Sequence, residues 1–259
     1  MHRAPRRAIL LALGLALALV LPAAVTANHS WGGYHWARTA NPFTVKLGDN
    51  VTSAWDSYLA VASSDWSQST VLNTTIVAGS TNPRNCKATT GMVQVCNKAY
   101  GYNGWLGVAG ISITGGTHIT KAYVKLNDSY FNSPTYNTPA WRNMVMCQEV
   151  GHAFGLDHQD EDFYNDNLGT CMDYTSNPAS NQHPNAHDYE QLEAIYAHLD
   201  STTTVSSAPA ASAAAAGDHA AEAAWGTLLK VTNHGHGAWY VRDLGAGNLQ
   251  LTHVLWAVL

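Results

Sequence analysis

The chain has 259 residues, of which 46% are hydrophobic and 12% charged, and its formal charge is −5. This composition is typical of a compact globular protein and excludes an extended disordered chain. The acidic balance argues against the basic surfaces that bind nucleic acids or anionic membranes.

The first 27 residues have the organisation of a secretory signal peptide. Three arginines (Arg3, Arg6 and Arg7) precede an apolar run over residues 8–20, and small residues lead to a cleavage position after Ala27. An uncleaved membrane anchor is the alternative, but the run is shorter than the roughly 20 residues of a span. Without the three arginines, ten basic residues face 18 acidic ones, a formal charge of −8. We expect a secreted, extracellular monomer with no nucleic-acid partner and no membrane contact after signal removal.

The segments predicted as strands are rich in β-branched residues and bounded by Gly, Asn or Asp. In chain order they are FTVKLG, VLNTTIVAG, MVQVC, WLGVAGISI and THITKAYVKLN. A helix is predicted between the first two, in residues 51–69, because Trp55, Leu59, Ala62 and Trp66 recur at helical spacing.

Two further helices are predicted in the second half of the chain. The first, in residues 133–155, has Pro139 near its start and Gly155 at its end. The second, in residues 183–199, carries an apolar stripe formed by Leu192, Ile195, Tyr196 and Leu199.

Composition divides the chain into four parts. We predict a signal peptide in residues 1–27, a main domain in 28–200, an Ala/Ser-rich linker in 201–224 and a small β-rich tail in 225–259. The tail is too short to form a robust core alone, so it would need to dock on the main domain.

Four cysteines, all after the signal peptide, favour two disulfides in an exported chain. A zinc site formed by four thiolates is the competing interpretation, but the chain has no C-x-x-C pair. Of the three possible pairings, we favour the one that contains the short local loop Cys86–Cys96.

The stretch CQEVGHAFGLDH has the spacing of a mononuclear metal site. Gln148 and His152 are four residues apart and therefore face the same side of a helix. Gly155 lets the chain turn, so that His158 can fold back and leave one metal position open for water. Glu149 would lie beside that water and accept its proton.

Residues 148–158 resemble the H-E-x-x-H-x-x-G-x-x-H motif of the metzincin zinc peptidases, with Gln148 in place of the first histidine. GTCMDYT, which contains Met172, resembles the family's Met-turn. THITKAYVKLND resembles the edge strand that aligns the substrate in matrixin-like members, and HDYEQLEAIYAHL resembles their closing helix. The resemblance covers roughly residues 36–199.

This resemblance implies an α+β, metzincin-like catalytic domain with a twisted mixed sheet, an active-site helix, a Met-turn and a C-terminal helix. The implied activity is that of a secreted zinc-dependent endopeptidase, which hydrolyses polypeptides through a metal-activated water with Glu149 as general base. Tyr174, two residues after the structural Met172, would donate a hydrogen bond to the oxyanion. Helix and Met-turn must meet at the metal, so a Cys147–Cys171 disulfide is expected beside it.

The glutamine leaves three interpretations of the metal site open. Gln148 coordinates zinc through its amide oxygen together with His152 and His158, giving a weaker site than three imidazoles. Alternatively, another residue joins the two histidines; the candidates are Tyr174, His118, His183 and His187. In the third interpretation the domain is catalytically inactive and acts as an extracellular protein- or glycan-binding module.

Two other groups of side chains have simpler interpretations. The acidic residues of the loop 157–166 are a possible Ca²⁺ site, but they do not match the EF-hand spacing, and a solvated acidic loop is the plainer interpretation. The scattered histidines are interpreted as surface or core residues rather than ligands; they include His35, His118, His234, His236 and His253.

Overall fold

The structure is a computed structural model in which residues 29–205 and 225–257 are described. The predicted signal peptide and most of the predicted linker lie outside these residues. In the described part, strands and helices are combined in an α+β fold with one mixed sheet, which confirms the predicted fold class.

Nine strands of the described chain form the sheet, in the order β3-β2-β4-β6-β5-β9-β8-β7, and the short β1 also pairs with β6. Their bounds are β1 His35–Trp36, β2 Phe43–Asn50, β3 Leu72–Ala78, β4 Met92–Lys98, β5 Trp105–Thr114, β6 His118–Asn127, β7 Thr227–Val231, β8 Gly237–Gly245 and β9 Asn248–Trp256. The pairs that join β1, β2, β3, β4 and β6 are parallel, whereas β5, β9, β8 and β7 follow in antiparallel pairs.

The described helices are α1 Asp56–Trp66, α2 Asp128–Phe131, α3 Pro139–His152 and α4 Ala186–Ile195. In α1, the predicted face is buried at Leu59, Ala62 and Trp66. The stripe of α4 is buried at Leu192 and Ile195, but the helix ends there and Leu199 is 56% exposed. The predicted extension of this helix to Leu199 is therefore wrong.

Local chemistry sets both ends of α3. The Thr138 side chain accepts a hydrogen bond from the Trp141 backbone N–H, and Pro139 occupies the first turn, where its missing N–H costs nothing. After the helix, Gly155 has a φ of +94°, and a Cβ there would lie 2.0 Å from the Tyr34 carbonyl oxygen. Only glycine fits this turn, which redirects the chain after His152.

The C-terminal strands extend the main sheet. β9 pairs along β5 in antiparallel register, with His253 opposite Ala109, and β8 and β7 continue beyond it. The segment THITKAYVKLND forms β6, which has β4 on one side and β5 on the other. The expectation that this segment is an edge strand is therefore wrong, because both of its edges are paired.

Two disulfides join Cys86 to Cys96 and Cys147 to Cys171, the two pairings that the sequence analysis favoured. The second connects α3 to the segment that contains Met172. No helix in the described ranges is long and apolar enough to cross a membrane.

Candidate metal centre

Three imidazoles form a buried cluster: His152 at the end of α3, His158 beyond the glycine turn, and His253 in β9. Each offers a ring nitrogen within 4.8 Å of the others. His152 and His253 are 0% exposed and His158 is 6% exposed. Burial lowers the pKa of all three rings, that of His253 to about 3. They are therefore uncharged at neutral pH, the form in which imidazole binds a metal.

A hydrogen bond to the backbone orients the His152 ring. Nδ1 of His152 donates to the Leu156 carbonyl oxygen at 2.9 Å, so its Nε2 carries the free lone pair. This Nε2 lies 3.1 Å from Nε2 of His158. Two ring nitrogens at such a distance need a shared proton or a cation between them.

His253 lies between the residues predicted as base and oxyanion donor. Its Nδ1 is 3.2 Å from the Glu149 carboxylate, and its Nε2 is 2.8 Å from the Tyr174 hydroxyl. The neutral ring satisfies both contacts if Nδ1–H donates to Glu149 and Nε2 accepts from Tyr174. A residue of the C-terminal tail thus holds both predicted catalytic side chains.

Gln148 is also fully buried, and its amide is oriented by the backbone of Cys171. Nε2 donates to the Cys171 carbonyl oxygen at 3.0 Å, whereas Oε1 has no hydrogen-bond partner. Leaving a buried amide oxygen unpaired costs about 1–3 kcal/mol. Gln148 faces the same side of α3 as His152, so the orphaned oxygen is a candidate donor for a cation bound at the cluster.

Glu149 lies next to β5 with no exposed surface. Gly107 makes this approach possible, because a Cβ there would lie 2.6 Å from Oε1 of Glu149. That oxygen has no hydrogen-bond partner. Burial raises the pKa of Glu149 to about 8, while the neighbouring His152 lowers it. A bound cation would favour the carboxylate form.

The segment with Met172 packs directly below the cluster. A Cβ on Gly151 would lie 2.7 Å from the Met172 sulfur, so this glycine lets the turn approach α3. The Gln159 backbone N–H donates to the Met172 carbonyl oxygen at 2.7 Å. The Tyr174 ring stacks on His158 with centroids 4.1 Å apart. The segment with Met172 therefore packs against the candidate ligands, and none of these contacts makes it a ligand itself.

β8 and β9 cover the cluster. The Trp239 ring lies 5.1 Å from the His152 ring and 4.3 Å from the Trp31 ring, centroid to centroid. A Cβ on Gly237 would lie 1.8 Å from the Tyr174 hydroxyl. The backbone of β8 can therefore approach Tyr174 this closely only because residue 237 is a glycine. In this conformation the tail separates the cluster from solvent.

The remaining predicted candidates lie elsewhere. The three other histidines considered as ligands contact carboxylates outside the cluster: His183 contacts Asp65, His187 contacts Glu190, and His118 contacts Asp200. In the acidic loop, Glu161 pairs with Lys230 at 2.6 Å, and Asp160 accepts from the Asn165 side chain at 2.6 Å. The protein's own donors engage these carboxylates, so their geometry gives the calcium prediction no support.

The donors present fit a zinc ion. Neutral imidazoles are preferred zinc ligands, and three of them converge here with two orphaned buried oxygens, those of Gln148 and Glu149. Each of these unpaired oxygens is costly without a cation.

The sequence matches no protein-family model and no curated protein sequence. Among solved structures, the chain is similar to myroilysin, at 12% identity and a TM-score of 0.39, over 66% of this chain and 99% of that one. It is also similar to high choriolytic enzyme 1, a hatching enzyme zinc-protease from Oryzias latipes, the medaka fish. That similarity has 10% identity and a TM-score of 0.36, over 63% of this chain and 94% of the enzyme. At these values the likeness identifies neither a function nor a substrate for this chain.

Sequence reasoning missed His253. It was interpreted as an isolated surface or core residue, because no spacing rule connects it to the motif in α3. The available signal was its place in the apolar run LTHVLWAVL, which made a surface position improbable.

Proposed function

We propose that this protein is a secreted zinc-dependent endopeptidase that its own C-terminal strands hold in a closed state. The observation that carries the proposal is the convergence of Glu149, His152, His158 and Tyr174 at one buried point, with Gln148 beside them. A purely structural core would have no need for this set of polar groups, because burying each without a partner is unfavourable.

Each residue has a distinct role in the proposed reaction. His152, His158 and the Gln148 oxygen would hold zinc, which lowers the pKa of water and polarises the substrate carbonyl when it is bound. Glu149 accepts the proton of the attacking water and passes it to the leaving amine. The Tyr174 hydroxyl donates a hydrogen bond to the oxygen on which negative charge develops. Met172 supports the histidines from below.

His253 occupies the position in which the attacking water and the scissile carbonyl would bind. It contacts both Glu149 and Tyr174, between which the water and the scissile carbonyl would lie. In addition, β9 fills the edge of β5, where an extended polypeptide would pair to cross the site. A polypeptide can therefore reach Glu149 only after β9 leaves β5. Both the inhibitory contact and the covered sheet edge belong to one strand.

His253→Pro in the full chain tests this function. Proline removes the imidazole and also one N–H from the middle of a strand that is paired on both sides, so β9 should leave β5. We expect wild-type protein to cleave an unfolded polypeptide slowly and the variant to cleave it faster, in a chelator-sensitive manner. Adding Glu149→Gln to the variant should lower the rate by roughly 10²–10⁴-fold.

Zinc affinity, measured by competition with a chromophoric chelator, separates the alternatives. His253→Pro should retain zinc, because the three proposed donors, His152, His158 and the Gln148 oxygen, remain. If the variant loses zinc, His253 is an obligatory ligand and the closed-state interpretation is wrong. If it binds zinc but cleaves nothing, the alternative of an inactive binding module is favoured. An unchanged rate after Glu149→Gln would exclude Glu149 as the base.

A further inference from the structure

A second group of metal-binding side chains lies outside the candidate active site. Its members come from two distant parts of the chain: His35 in β1, and His198 and Asp200 just beyond α4. We refer to these three residues as the clip cluster. None of them belongs to the motif in α3.

One carboxylate oxygen is the common centre of the clip cluster. Oδ1 of Asp200 lies 3.1 Å from Nε2 of His118 and 3.7 Å from Nε2 of both His35 and His198. Nε2 of His198 is 3.2 Å from Nε2 of His35. In His35 and His198 it is therefore the same ring nitrogen that points inward, whereas His118 contacts Asp200 but lies outside the clip cluster.

The surrounding protein fixes two of these donors. Nδ1 of His35 lies 2.9 Å from the Gly33 carbonyl oxygen and donates to it, which leaves the lone pair on Nε2. Oδ2 of Asp200 accepts from Arg38 at 2.9 Å, so Oδ1 is turned toward the histidines. Arg38 is 1% exposed and also donates to the His198 carbonyl oxygen. Such support from outside the ligand set is typical of metal sites.

The distances match a tetrahedral zinc site. Zinc–nitrogen bonds of about 2.0–2.1 Å separate two ligand atoms by about 3.3–3.4 Å at the tetrahedral angle. The three separations among His35, His198 and Asp200, from 3.2 to 3.7 Å, bracket this value. The His198 side chain is 54% exposed and that of His118 is 31% exposed, so an ion can enter from solvent.

We infer that the clip cluster is a zinc site, with Nε2 of His35, Nε2 of His198 and Oδ1 of Asp200 as its three protein ligands and water in the fourth position. Its ligands join β1 to the segment after α4. The Trp36 indole, next to His35, donates to the Ala153 carbonyl oxygen at 2.9 Å, so the ion would also stabilise the turn between His152 and His158.

His198→Ala in the full chain is the test, because this ligand is the most exposed and its loss removes little packing. His183→Ala is the matched control, since His183 is equally exposed and also contacts an aspartate, Asp65, at 2.7 Å. After equilibration with zinc and removal of weakly bound ion, zinc per chain is measured by plasma mass spectrometry. We expect His198→Ala to hold one zinc fewer than both wild type and the control, whatever the occupancy of the buried cluster.

Chelator competition gives a second readout that does not depend on activity. The zinc affinity of this site should fall on the order of 100-fold or more in His198→Ala, since even losing a supporting residue costs 10–100-fold. The chelator should lower the melting temperature of the control more than that of His198→Ala. Equal zinc content and equal affinity in the two variants would overturn the inference and leave the clip cluster as a set of hydrogen-bonded side chains.

Discussion

At the scale of single residues, the amide of Gln148 decides how zinc is held once the tail has moved. Its nitrogen is committed to the Cys171 carbonyl oxygen, which forces the oxygen to the opposite side without a partner. A carboxamide oxygen is a weaker zinc donor than imidazole. The site should therefore hold zinc, but less tightly than a site with three histidine ligands.

Variants of Gln148 test this role. Gln148→His should bind zinc more tightly than wild type, because an imidazole replaces the amide oxygen. Gln148→Ala should bind zinc more weakly and lose about 1 kcal/mol of unfolding free energy with the hydrogen bond to Cys171. Chelator competition and denaturant titration measure the two effects separately. An alanine variant with wild-type zinc affinity would show that the amide oxygen does not face the metal.

At the scale of elements, α3 and the Met172 turn are joined twice. The Cys147–Cys171 disulfide and the hydrogen bond from Gln148 both connect the helix to the turn. Cys86–Cys96 connects other parts of the chain and serves as an internal comparison. The two bridges should therefore differ in their effect on the metal more than in their effect on stability.

Replacing each cysteine pair by alanines tests this difference. The Cys147–Cys171 loop spans 24 residues and the Cys86–Cys96 loop spans 10. Removing either should cost about 3 kcal/mol of unfolding free energy, slightly more for the longer loop. Only the variant without Cys147–Cys171 should also bind zinc more weakly at the buried cluster. Equal zinc affinity in both variants would show that the bridge does not position the ligands.

At the scale of the whole molecule, local patterns in the sequence predicted the parts of the site that are close in the chain. Helical spacing and the glycine turn brought out Glu149, His152 and His158, because the period of a helix fixes which side chains share a face. Residues that meet through sheet pairing had no such signal. The register that places His253 opposite Ala109 depends on tertiary packing, and so does the clip cluster.

In the whole molecule, the C-terminal strands β7, β8 and β9 complete the sheet, and β8 and β9 cover the candidate active site. β9 is an interior strand of the sheet, with β5 and β8 on its two sides, and its centre is buried. The tail is thus an integral part of the closed molecule, and opening the site requires breaking backbone pairing along a whole strand. Removal of the tail would expose the surface that Trp239 covers in the main domain, and also Glu149.

The central claim is that a zinc ion is bound between His152, His158 and the Gln148 oxygen. Anomalous diffraction from crystals of the full chain, recorded on both sides of the zinc absorption edge, tests it most directly. The account predicts an anomalous peak within bonding distance of Nε2 of His152 and Nε2 of His158, with the Gln148 oxygen facing it. A map with no peak at this point, in crystals equilibrated with zinc, would contradict the claim.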